Sequence, residues 1–104
     1  MTRPRKSVGG ENLADMLNCQ VTGTLTPDAT CNYFWYGYYD GELEYKRADG
    51  AYWLLWDGVS SSWIISPSED DFTNCWKRTN PNILGTYNPV GTHLGIATVS
   101  IGLH

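Results

Sequence analysis

Few residues in this chain have the types and spacing that chemistry requires. His93 lies in a Gly/Thr-rich turn and His104 is the last residue. Ser60, Ser61 and Ser62 offer hydroxyls that His93 could activate. The sequence, however, has no G-x-S-x-G elbow, HExxH, P-loop or dinucleotide fingerprint, and the serine run reads as loop. Glu42 and Glu44, two apart on a strand, share one face at the separation of glycosidase carboxylates, about 5–9.5 Å. General-acid work needs one of them in an apolar pocket. Lys46 supplies the opposite environment, so the pair reads as a solvated face. Glu69-Asp70-Asp71 offers oxygens to Ca²⁺ but lacks the EF-hand spacing and its glycine, and reads as a negatively charged loop. Cys19, Cys31 and Cys75 form no CxxC pair and have no histidine nearby in sequence, unlike a zinc site. Buried free thiols are expected, with a Cys19–Cys31 bridge as the alternative in an oxidising compartment. The chain is therefore expected to be no enzyme and to hold no metal or cofactor.

Aromatic residues point instead to binding. The chain has seven Tyr and five Trp with eleven Gly, and is poor in Ala. Aromatic and Thr-rich segments punctuated by glycine read as strands and turns. Strands are expected near 19–26, 30–39, 42–47, 51–57, 62–66, 83–88 and 94–101. Between them lie Thr26-Pro27-Asp28, Asp40-Gly41, Asp49-Gly50 and Asp57-Gly58, all turn chemistry. Residues 67–82 follow neither period and read as the longest loop, with Trp76 pinning it to the core. Gly23-Thr24-x-x-Pro27-x-x-Thr30 is echoed by Gly85-Thr86-x-x-Pro89-x-x-Thr92; as a duplication, these would form equivalent hairpins side by side, closing the sheet. Glu11–Asn18 can form two turns of helix, with Leu13, Met16 and Leu17 on one side.

Two-residue Asp-Gly hairpins would fix the strand register. Asp40-Gly41 sets Tyr39 opposite Glu42, Tyr36 opposite Tyr45 and Trp35 opposite Lys46. Asp49-Gly50 sets Ala48 opposite Ala51, Lys46 opposite Trp53 and Tyr45 opposite Leu54. One face then carries Phe34, Tyr36, Tyr38, Leu43, Tyr45, Tyr52, Leu54 and Trp56, with Arg47 its only charge, and reads as core. The other carries Trp35, Gly37, Tyr39, Glu42, Glu44, Lys46, Trp53 and Leu55 and faces water or a partner. Across it runs Trp35–Lys46–Trp53, two indoles about 10 Å apart with an ammonium between them. This row is either self-contained cation–π packing or an aromatic platform, with Tyr39, Glu42 and Glu44 at its edge. A one-residue slip would exchange the two faces.

The 104 residues suffice for one domain. Residues 1–10 read as a flexible basic arm and 11–104 as a single β domain. A net charge of −4 disfavours nucleic acid, since phosphate binding needs clustered Lys and Arg, and Arg3, Arg5 and Lys6 form the one such cluster. No apolar run reaches the roughly 18–20 residues of a membrane span. The positive N-terminus has no apolar stretch after it, unlike a secretory signal. The chain is therefore expected to be made in the cytoplasm and to stay clear of the membrane.

From Gly37 to Ser66 the sequence reads G-Y-Y-D-G, then Tyr45, then A-D-G-A-Y-W-L-L-W-D-G, then W-I-I-S. It resembles small aromatic- and Gly-rich β modules of uncharacterised bacterial surface proteins and phage-encoded virion proteins. Gly23-Thr24 and Gly85-Thr86-Tyr87-Asn88-Pro89 sit where such modules also carry Gly-Thr turns. The resemblance implies a β fold and a non-enzymatic role, with no active site to carry over. A lone domain without a secretion signal fits a virion component better than a surface protein.

The expected fold is all-β, an antiparallel β-sandwich or partly closed barrel of about seven strands. The expected function is a structural or binding module that assembles with other proteins or with itself, as in a phage particle. The alternative is a carbohydrate-binding module that stacks a glycan on Trp35 and Trp53.

Overall fold

The computed structural model describes residues 18–39 and 41–101. The arm over 1–10, residues 11–17 of the expected 11–18 helix, Asp40 of the Asp40-Gly41 turn and His104 lie outside them, and Asn18 is the first residue of a strand rather than the last of a helix. Eight strands follow one another in sequence and in space. They are β1 (Asn18–Thr22), β2 (Cys31–Tyr39), β3 (Glu42–Arg47), β4 (Trp53–Asp57), β5 (Ser62–Ser66), β6 (Cys75–Arg78), β7 (Gly85–Val90) and β8 (Ala97–Ile101). Each pairs antiparallel with the next, and β1 pairs with β8, so the sheet closes into an up-and-down barrel. The all-β expectation holds; of the two expected architectures the sandwich is not found, and the barrel is fully rather than partly closed, with eight strands instead of about seven. The additional strand is β6, which falls inside the expected 67–82 loop. Trp76 is buried as expected, but as a strand residue.

Alternation sorts the side chains into an apolar interior and a largely polar exterior. Across the interior, Trp35 lies opposite Tyr45, Tyr45 opposite Leu54, Leu54 opposite Ile65, and Ile65 opposite Trp76. Cys19, Val21, Leu25, Ala29, Tyr33, Tyr52, Trp63, Tyr87, Ala97 and Val99 join this core. Gln20, Thr22, Asn32, Lys77, Asn88, Thr98 and Ser100 alternate with it on the outside.

Buried polar tips find backbone partners. The Tyr33 and Tyr87 hydroxyls donate to the carbonyls of Ala29 and Ile83, at 2.7 and 2.6 Å. Trp63 and Trp76 donate their indole N–H to the carbonyls of Pro81 and Gly95.

The β1–β2 and β7–β8 connections close one end of the barrel, joined by paired hydrogen bonds between Thr26 and Leu94. Gly95, at φ +95°, leaves no room for a Cβ against the Thr24 carbonyl, so this crossing needs glycine. Arg47 sits at the same rim. Its guanidinium donates to the Asp28 and Thr30 carbonyls and to Asp49, and lies 4.7 Å from the Tyr52 ring. His93 stacks on Trp76 with ring centroids 4.3 Å apart.

The Gly-Thr echo does not describe equivalent hairpins. Residues 85–90 form strand β7, whereas 23–30 form a connection, and the sheet closes through β1 and β8 instead. The β3–β4 turn also differs from a two-residue Asp49-Gly50 hairpin. Arg47 N–H donates to the Tyr52 carbonyl and Gly50 N–H to that of Arg47, closing a four-residue loop over 48–51. The pairs Lys46–Trp53 and Tyr45–Leu54 are nonetheless those expected.

Candidate functional site

The decisive local feature is a β-bulge in β2. Tyr39 pairs with Glu42 as expected and Gly37 with Glu44, but the register then shifts, so that Trp35 faces Tyr45 and Phe34 faces Lys46. One extra residue, Tyr36, is accommodated on β2, and the alternation inverts upstream of it. Trp35 therefore turns inward, packs against the core and meets Tyr38 edge-on with centroids 6.0 Å apart. Phe34 and Tyr36, expected in the core, stand outside at 39% and 57% exposure. The expected row Trp35–Lys46–Trp53 is thus replaced by Tyr36–Lys46–Trp53.

In that row the Lys46 ammonium lies 4.9 Å from the centre of the Tyr36 ring and 4.6 Å from that of Trp53. The two rings meet edge-to-face, 5.0 Å apart and 85° to one another. Contacts of this kind contribute about 0.5–1 kcal/mol at exposed sites. Of the six residues singled out from sequence, Tyr39, Glu42, Glu44, Lys46 and Trp53 share the outer face of β2–β4, and Trp35 does not. Tyr36 and Phe34 were missed. Their signal is Gly37, because an isolated glycine inside a strand marks a bulge.

Beside this row the barrel wall carries a second apolar cluster on its outside. Leu55, Ile64 and Cys75 are buried there, with Tyr39, Trp53, Phe72 and Val90 packed against them. Residues 67–74, between β5 and β6, lie over this cluster as a strap and bring Phe72 onto it. Strand β5 is consequently buried at every position, inside and out. Local bonds shape the strap. Ser66 Oγ donates to the Asp71 carbonyl, and Asp71 Oδ1 accepts from the N–H and hydroxyl of Thr73. Asn74 Oδ1 accepts from the N–H and hydroxyl of Thr92, tying the strap to the β7–β8 connection.

The strap changes the character of Glu44. Expected to be solvated, this side chain is 2% exposed. Burial pushes its pKa up from 4.5 to about 8, helped by a hydrogen bond and like charge from Glu69 and opposed by Lys46. The lysine effect expected from sequence is present, but desolvation beneath the strap outweighs it. Near neutral pH, burial therefore favours the protonated form of Glu44, and its Oε2 has no hydrogen-bond partner. With the strap in place, that proton cannot reach a molecule in solution. Glu42 remains exposed.

The other candidates do not converge. Ser62 Oγ donates to the Ser60 carbonyl and bonds with Thr79, at the barrel end opposite His93. Among the described residues, no three His, Cys, Asp or Glu side chains are grouped to hold a metal. Asp70 and Asp71 spend their carboxylates on Ser68 and Thr73. All three cysteines are free. Cys19 and Cys75 are buried as expected, with burial raising each to about 11, whereas Cys31 is exposed. No known protein family, curated protein or solved structure matches the chain.

Proposed function

We propose that the protein is a non-enzymatic binding module that meets other proteins, or further copies of itself, through the outer aromatic face of β2–β4. The observation that carries this reading is the exposure of Phe34 and Tyr36 beside Lys46 and Trp53 on the outside of the barrel. Tyr, Trp and Phe side chains are enriched at protein contacts. The resemblance of residues 37–66 to small β modules of bacterial surface and phage virion proteins, read from the sequence alone, is in keeping with a role in assembly.

Glycan stacking is less well supported. A sugar ring lies flat on an aromatic face, but Tyr36 and Trp53 stand at 85° and Lys46 occupies a face of each. Light scattering on the wild type and on a Phe34→Ser/Tyr36→Ser variant tests self-assembly. A mass above the monomer that falls to the monomer in the variant, with Tm held, is the expected result. A wild type that stays monomeric at the highest soluble concentration would refute self-assembly.

A further inference from the structure

We propose that the groove between β6 and β7 is a binding site for an acidic sugar, a small hydroxylated ligand whose carboxylate or phosphate group is held by Lys77 and Arg78. The site lies apart from β2–β4 and does not depend on what the aromatic face binds.

Two asparagines shape the β6–β7 connection. Asn80 Oδ1 accepts from the Asn82 N–H and Asn82 Oδ1 from the Leu84 N–H, at 2.8 and 3.0 Å, so residues 80–84 turn tightly. The turn presents the Asn82 carbonyl to Arg78, whose Nε donates to it at 2.7 Å, while Nη1 donates to the Thr86 carbonyl at 3.5 Å. The guanidinium lies against Gly85, at φ +137°, where a Cβ would stand 2.5 Å from its carbon. Among the described residues, Nη2 has no acceptor. One residue earlier, Lys77 stands opposite Asn88 on the outside of the ladder. Both cations line a cavity of about 400 Å³, together with Asn80, Thr86 and Asn88.

Charge selects an anion. The chain carries a net charge of −4, yet no carboxylate lines this cavity. Arg47 is neutralised by Asp49 at 2.7 Å, whereas among the described residues neither Lys77 nor Arg78 has a carboxylate partner. Asp57, at the same barrel end, is engaged with the Val59 N–H and the Ser60 hydroxyl. Two cations on one cavity repel each other, and an oxyanion between them removes that repulsion while accepting charge-assisted hydrogen bonds. The rest of the lining selects hydroxyls. The Thr86 and Asn88 side chains make no hydrogen bond among the described residues, and a hydroxyl and an amide both donate and accept. The lining holds no aromatic ring, so a sugar is held here by hydrogen bonds and charge rather than by stacking. The volume falls within the roughly 300–1,000 Å³ of small-molecule sites.

Titration of the full chain with glucuronate, glucose-6-phosphate, glucose and inorganic phosphate, at constant ionic strength and followed by amide NMR, tests the site. The acidic sugars should shift the Asn80, Thr86 and Asn88 amides saturably, with half-saturation at about 1 mM, the range open to a ligand of this size. The tighter of the two identifies the anionic group. Glucose, which lacks the anion, and phosphate, which lacks the hydroxyls, should each bind about tenfold more weakly. Lys77→Gln should weaken the acidic sugar about tenfold at an unchanged Tm, because no hydrogen bond of that side chain holds the fold. Arg78→Gln should weaken it as well, but Arg78 also secures the β6–β7 connection, so Lys77→Gln remains informative if Arg78→Gln does not fold. Acidic sugars that shift nothing at about 20 mM, or that bind Lys77→Gln as tightly as the parent, would overturn the proposal. Glucose or phosphate binding as tightly as the acidic sugars would overturn it too.

Discussion

Replacing Glu44 by Gln should stabilise the protein in alkaline solution and leave it nearly unchanged in acid. The folded state holds the Glu44 proton up to about pH 8, whereas the unfolded chain releases it near 4.5. Below 4.5 both states are protonated and the difference vanishes. Between the two values the unfolded state binds fewer protons, so stability falls as pH rises, by about 1.4 kcal/mol per pH unit. Across the whole interval the ceiling is about 5 kcal/mol. Relaxation and solvent screening around the group remove a large share of that ceiling, so the wild type should lose about 1–2 kcal/mol relative to Glu44→Gln between pH 5 and pH 9, roughly 4–16 °C in Tm for a domain of this size. Thermal melts of both proteins across that range measure the difference directly, since every other titrating group is common to the two. Parallel Tm curves would show that Glu44 is solvated and would refute the reasoning.

Acid should act through His93. Burial against Trp76 lowers its pKa below 6.5 and its Nδ1 has no partner, so its contribution is complete above 6.5 and is lost as pH falls below that value. An NMR titration with a midpoint at or above 6.5 would contradict this. Tyr87→Phe should cost about 1–3 kcal/mol by leaving the Ile83 carbonyl unpaired inside the barrel end, measurable by urea unfolding.

How much of this the sequence discloses depends on the range of the interactions involved. Strands β2 to β5 are legible because Asp-Gly and Asp-rich turns punctuate aromatic runs at the right intervals, and the Tyr45–Leu54 and Lys46–Trp53 pairs follow from that spacing. Strand β6 is not, since Cys-Trp-Lys-Arg has no clean alternation: Cys75 is buried on the outside and Trp76 on the inside. Closure of β1 on β8 joins residues nearly a chain length apart, and nothing local announces it. The faces of β2 were misassigned upstream of one residue, Tyr36, because a bulge inverts everything before it while leaving the turn intact. Glu42, Glu44, Lys46 and Trp53 survived because they lie on the far side of that turn. The environment of Glu44 could not be read at all, since the residues that bury it come from a strap whose path only the folded barrel defines.

Closure of the barrel also limits how anything can dock. A sheet with a free edge can recruit an extended peptide through main-chain hydrogen bonds, largely regardless of its sequence. Here the first strand satisfies the last, so no such edge remains among the described strands. Recognition by this wall must pass through side chains, one residue at a time. Point mutations on its outer face therefore test recognition itself, and the ladder that commonly lets β domains stick to one another is sealed within the ring.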